Sequence, residues 1–142
     1  MGELPLVNVA SPAYLARHGI PLRPSELGGH EAVRYASPTT GRVEEWEWME
    51  NGQARTMPMS GRVCVNNAET LVACCLAGLG LIQVPAYDVR PHIQRGELVE
   101  VMPDWRAGPM PMTLLYPHRQ HLSRRLQLFA DWLATLLARE TA

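Results

Sequence analysis

Apolar residues fall in short runs separated by turn residues, and their spacing alternates between strand-like and helix-like along the chain. Leu6–Ala10 (LVNVA) reads as a short strand. Ser11-Pro12 then reads as an N-cap and first helical position, for a helix running to about His18 with Gly19 at its end. Pro21, Pro24 and Gly28-Gly29 mark a loop with one helical turn around Ser25–Leu27. Glu31–Ala36 (EAVRYA) is a second strand. Glu44–Met49 then alternates polar and aromatic positions, Asn51-Gly52 follows, and Ala54–Met59 completes the pattern of a β-hairpin with a tight primed turn. Strand side chains repeat every two residues, so Trp46 and Trp48 share a face, read as core rather than as a stack for a ligand.

Arg62–Val65 is a further strand, closed by Asn66-Asn67. The spacing predicts a helix from about Ala68 to Ala77, with Gly78 and Gly80 as stop signals. Leu71, Val72, Cys74, Cys75 and Leu76 leave that helix apolar almost all round, which predicts burial. Leu81–Pro85 (LIQVP) is a strand, a short helix spans Tyr87 to Gln94 before Gly96, and Leu98–Met102 and Met112–Tyr116 are strands. A last helix covers about Ser123–Arg139, with Leu122, Leu126, Phe129, Leu133 and Leu136 on one stripe. Alternating strands and helices indicate an α/β fold.

Composition narrows the class. The chain has 142 residues, 46% hydrophobic and 19% charged, with a net charge of -1. That is one domain or a large piece of one, too apolar for disorder and without an apolar run able to span a bilayer. Near-neutrality argues against this segment holding nucleic acid by itself. All 13 basic residues are arginine, which excludes a P-loop lysine, a Schiff-base lysine and a lysine general base; codon bias explains the usage. Three cysteines and a Met1–Pro5 stretch unlike a signal peptide point to a reducing cytoplasm. Cys74 and Cys75 read as small apolar helix residues, since no CxxC spacing is present.

Chemistry concentrates at two strand-to-helix junctions. At Val65–Glu69 a helix start offers unpaired N–H groups and partial positive charge, able to hold a carboxylate or carbonyl, while Asn66 or Asn67 serves as N-cap. Ser11 is the second junction, where capping is the default and ligand contact the alternative. Arg34 and Arg62 lie on strands and pair with Glu31, Glu44 or a ligand carboxylate, a surface ion pair being the ordinary outcome. His118 and His121 lack the spacing of a metal set, and no catalytic motif is present, so no metal, no cofactor and no enzymatic activity are expected.

Ala10–Gly19 (ASPAYLARHG) resembles a segment of LysR-type transcriptional regulators. The likeness continues through Pro21, Pro24, Leu27 and His30, the Trp46 hairpin with Gly52, Asn66-Asn67, Gly78-Leu79-Gly80-Leu81 with Pro85, Gly96-Glu97-Leu98-Val99 with Trp105, and Tyr116-Pro117 before Leu122, Ser123 and Phe129. It covers nearly the whole chain. It implies an effector-binding domain with a type 2 periplasmic-binding-protein fold, in which two α/β subdomains flank a cleft. By that resemblance residues 1–10 hold the first crossover strand, 11–83 form subdomain II, 84–97 carry the second crossover and a short helix, and 98–142 return to subdomain I. The resemblance places the effector against Ser11, Asn66, Asn67 and Ala68.

Family members also carry a winged helix-turn-helix, a linker helix and the first half of subdomain I, none of which is found in these 142 residues. DNA would then be reached only through that N-terminal unit, and the apolar faces left bare imply a homodimer or strand-swapped oligomer. The alternatives are a solute-binding protein of the same fold, and a small enzyme using Cys64 or the His118/His121 pair.

Overall fold

The computed structural model describes residues 3–111 and, in the C-terminal segment, Trp132, Leu133, Thr135, Leu136 and Arg139. Strand β1 (Glu3–Leu4) precedes β2 (Leu6–Ala10) and helix α1 (Pro12–His18). As the sequence requires, the Ser11 hydroxyl accepts the Tyr14 N–H at 3.1 Å, Pro12 opens the helix and Gly19 leaves it at φ +83°. A 3-10 turn at Pro24–Gly29 leads to β3 (Arg34–Tyr35). The hairpin is β4 (Trp46–Glu50) and β5 (Gln53–Met57), with positive φ at both Asn51 and Gly52, the geometry of a primed turn.

Next come β6 (Cys64–Val65), α2 (Ala68–Leu76), β7 (Ile82–Pro85), α3 (Ala86–Gln94), β8 (Val99–Glu100), a 3-10 turn at Pro103–Trp105 and β9 (Met110–Pro111). β2 is the centre of an antiparallel sheet ordered β7-β2-β8, in register Val7↔Val84, Asn8↔Gln83 and Val9↔Ile82. β3 and β6 run parallel. A parallel bridge between Ala32 and Leu81 joins that pair to β7. β1 pairs with β9.

Alternation along β2 divides the core in two. Val7 and Val9 pack with Leu71, Cys75, Ile82, Val84, Val89 and Leu98 on the side covered by α2 and α3. Ala10 lies on the other face with Tyr14, Leu27, Ala32, Trp46 and Leu81. Tyr14, Leu27, Leu81, Ile82 and Leu98 are fully buried.

Several expectations are corrected. α2 is not buried all round: Leu71 and Cys75, four apart, face the core, while Ala68, Glu69, Thr70 and Ala73 are exposed. Gly78, not Gly80, ends α2. With φ +84°, Gly78 donates to the Cys75 carbonyl at 3.0 Å and Leu79 to the Cys74 carbonyl at 3.1 Å, a Schellman closure. Gly80 answers a different demand, because a Cβ there would lie 2.8 Å from the Ala32 carbonyl carbon and 2.9 Å from Glu31 O and Val33 N. The expected strand at Leu98–Met102 shortens to Val99–Glu100, since Met102 adopts φ +48° to enter the Pro103 turn. The expected strand Glu31–Ala36 keeps a ladder only at Arg34–Tyr35, flanked by single bridges at Glu31, Ala32 and Ala36. The Met112–Tyr116 strand and the His118/His121 pair lie outside the described residues. Of the last helix, the five described residues are helical, with Leu133 and Leu136 half-buried and Trp132, Thr135 and Arg139 exposed.

Candidate ligand site

The four residues singled out in the sequence do not meet. Ser11 is 3% exposed and its hydroxyl oxygen caps α1. It sits against the far end of α2, where a Cβ on Gly78 would lie 3.5 Å from Ser11 Oγ, and Arg17 donates to the Gly78 carbonyl at 2.6 Å. Asn66, Asn67 and Ala68 stand at the other end of α2, nine residues and therefore about 13 Å away along the axis. All three are exposed. Asn67 is the N-cap, its Oδ1 accepting the Thr70 N–H at 2.8 Å, and it donates to Asn66 Oδ1 at 3.4 Å.

A small recess of about 50 Å³ lies at the end of β3, walled by Arg34, Tyr35, Glu44, Trp46, Leu71 and Gln83. It is close to the α2 N-terminus in sequence terms, since Leu71 follows the Asn67 cap by one turn. Gln83 builds one wall by treating the hairpin as a strand partner. Its Nε2 donates to the Glu47 carbonyl at 2.6 Å and its Oε1 accepts the Glu47 N–H at 3.0 Å. The same Nε2 donates to Asn8 Oδ1 at 2.8 Å, and Asn8 donates to the Trp105 carbonyl at 3.3 Å. β2, β7, the hairpin and the Pro103 turn are thereby tied through two side-chain amides. Sequence reasoning passed over this pair. The available signal was a single polar residue in the middle of each apolar run, LVNVA and LIQVP.

Arg34 and Arg62 separate. Arg62 pairs with Glu31 at 3.6 Å on an exposed surface. Arg34 has no ion pair among the described residues, and its Nε is buried without a hydrogen-bond partner. Trp46 takes the core position expected of it, at 5% exposure, yet its indole N–H is also buried and unpaired.

Around α1 the polar groups are matched. Tyr14 Oη accepts the Glu31 N–H at 3.0 Å and shares a hydrogen bond with His30 Nδ1 at 2.8 Å. Burial, reinforced by the charge of His18, lowers the His30 pKa, and burial raises that of Tyr14. Cys75 is equally quiet: its thiol donates to the Val9 carbonyl at 3.6 Å and burial pushes it up to about 12. Among the described residues no group of three His, Cys, Asp or Glu side chains is arranged to hold a metal ion, and no helix is long and apolar enough to cross a membrane.

An α/β domain with an antiparallel central pair of strands, a parallel flank and a recess at a strand end has the architecture of the type 2 periplasmic-binding-protein class, as the comparisons with solved structures bear out. Residues 1–138 match the family model of the LysR substrate binding domain, and the chain belongs to that family. It is 40% identical over 146 residues to the HTH-type transcriptional regulator YhjC of Escherichia coli (strain K12), covering 96% of this chain and 46% of that protein. It is 32% identical over 128 residues to the HTH-type transcriptional activator AaeR of the same strain, covering 90% and 41%. The chain thus spans less than half the length of these two relatives. Among solved structures it is similar to the full-length Vibrio cholerae virulence activator AphB, with TM-score 0.76, 28% identity and coverage of 95% and 46%. It is similar too to the CrgA regulatory domain of Neisseria meningitidis, with TM-score 0.78, 25% identity and coverage of 94% and 65%. The chain is an effector-sensing domain of LysR type, and the proteins it resembles are transcriptional regulators rather than enzymes.

Proposed function

We propose that this domain senses a small effector at the end of β3, in the recess walled on one side by Leu71 of α2. The observation that carries the reading is the position of the recess: its wall residue Gln83 lies on β7 and is bonded to Asn8 on β2. In this reading β2 and β7 are the two crossovers between subdomains, residues 11–83 form subdomain II and residues 98–142 return to subdomain I. Asn66, Asn67 and Ala68 stand one turn before the wall residue Leu71, and Ser11 fixes the departure of α1 from the sheet. A ligand seated here would bind one hinge arrangement better than another, and that differential affinity would be passed to the arrangement of subunits. The parent protein is a homodimer or higher oligomer that reaches DNA through a winged helix-turn-helix outside this chain, and works in the cytoplasm.

The test is a thermal-shift screen of a small-molecule panel, followed by amide chemical-shift mapping of each hit. The expected perturbations fall on residues 34–36, 44–47, 66–71 and 83. A hit that raises Tm while perturbing only the α1 side, around Ser11 and His30, would refute the placement.

A further inference from the structure

Two of the residues that line the recess, Arg34 and Trp46, carry unpaired donors. The Arg34 Nε–H and the Trp46 indole N–H are each buried without an acceptor, and Trp46 is 5% exposed. Buried N–H groups are nearly always paired in folded proteins, so two unpaired ones on one recess are a standing demand for acceptors. The neighbouring polar groups do not meet it. Gln83 spends its amide on Glu47 and Asn8, Glu31 is taken by Arg62, and neither Glu44 nor Glu45 on the same recess bonds either donor. The backbone wall is closed as well: Arg34 N donates to Val63 O, Ala36 N to Val65 O and Glu44 N to Tyr35 O.

We propose that the recess takes a small monocarboxylate, its carboxylate accepting from Arg34 and Trp46. This rests on the recess being the effector site. Three observations set the class. Arg34 supplies a full positive charge with no ion pair among the described residues, which favours an anionic acceptor over a neutral one. Leu71 and Met59 offer apolar surface for the body that carries the charge. Glu44 and Glu45 also line the recess, so a second negative charge on the ligand meets carboxylates and is disfavoured.

Acetate is the minimal probe, titrated into the 15N-labelled chain at constant ionic strength against sodium chloride. The readout is the side-chain Nε–H cross peaks of Arg34 and Trp46. Both are expected to move downfield saturably, with a Kd on the order of 1–10 mM for a four-atom ligand. Acetamide, the uncharged isostere, is expected to bind at least tenfold more weakly, and the dianion malonate more weakly than acetate. R34Q is expected to lose the acetate response tenfold or more. R34K, which keeps the charge without the Nε–H, should retain a Trp46 shift, and it decides the matter if R34Q fails to fold. Binding of acetamide with no response to acetate would overturn the anion class and leave the recess a ligand site. Malonate binding as tightly as acetate would overturn the single charge. Cross peaks unmoved by every probe would overturn both the class and the recess as effector site.

Discussion

Around α1, which sits against the C-terminal end of α2, Ser11, Tyr14, Arg17 and His30 each have a polar atom bonded to a neighbour. Beside the first turns of α2, Arg34 and Trp46 keep buried N–H groups unpaired. The polar groups of the first region are paired, and those of the second are not. A matched polar cluster contributes stability and has nothing to offer a ligand. An unmatched one costs stability in the empty domain, and that cost becomes affinity when an acceptor arrives. Ser11 and Asn67 look alike in sequence, each a cap after a strand, and the contrast separates them: Ser11 lies inside the saturated cluster, Asn67 on an exposed edge near the open one.

The largest effect should come from the strand crossing that holds the two regions together. Gly80→Ala drives a Cβ into the backbone of residues 31–33, which has no room to yield. A loss of roughly 2–4 kcal/mol is expected, read as a fall in the urea midpoint; an unchanged midpoint would mean that the strands are not so close. Tyr14→Phe attacks the saturated cluster alone. It strips the Glu31 N–H and His30 Nδ1 of their shared partner and should cost about 1–3 kcal/mol. A variant as stable as wild type would remove the distinction between the two regions.

Acid should sharpen the comparison from the same side. His30 has a folded pKa below its ordinary value of 6.5, chiefly through burial and next through the charge of His18. The unfolded chain therefore binds this proton at a higher pH than the folded one. Stability from the neutral ring is full above about pH 6.5 and is lost as pH falls through the folded value. His30→Gln should flatten that window in denaturation curves taken from pH 7 down to 5, and curves of identical slope would exclude His30 as its source. The smallest effect belongs to the open region. Arg34→Met removes a buried, unpaired donor, so the domain should change by no more than about 0.5 kcal/mol, or become more stable. A marked destabilisation would show that Arg34 has a structural partner after all.

Much of this was legible residue by residue. Ser11-Pro12, Asn51-Gly52 and the Asn67 cap are local signals, each decided by the backbone conformation of two or three neighbours, and each formed where expected. The polar residues at Asn8 and Gln83 were visible in their apolar runs but not interpretable. Their partners lie 75 and 36 residues apart in sequence, and only the antiparallel register of β2 and β7 brings them together beside Glu47. Burial of α2 was overestimated because its composition is apolar while only Leu71 and Cys75 are buried, with Val72, Cys74 and Leu76 half-buried against the same core.

The amino-acid sequence by itself determined the α/β class, the order of elements, their caps and turns, and membership of the LysR substrate-binding family, since all of these are written in short-range spacing and in motifs kept in order along the chain. Which arginine finds a carboxylate was decided only in three dimensions. Arg34 and Arg62 both have strand-like surroundings and acidic neighbours in sequence reach, but only Arg34 lies on a strand, β3, while Arg62 falls in the bend before β6. The bridges of residues 31 and 32 to Ser60 and Leu81 set Glu31 beside Arg62 and leave Arg34 at the recess. Pairing between charges depends on strand register, a non-local quantity, and so the chemistry of the site belongs to the tertiary structure.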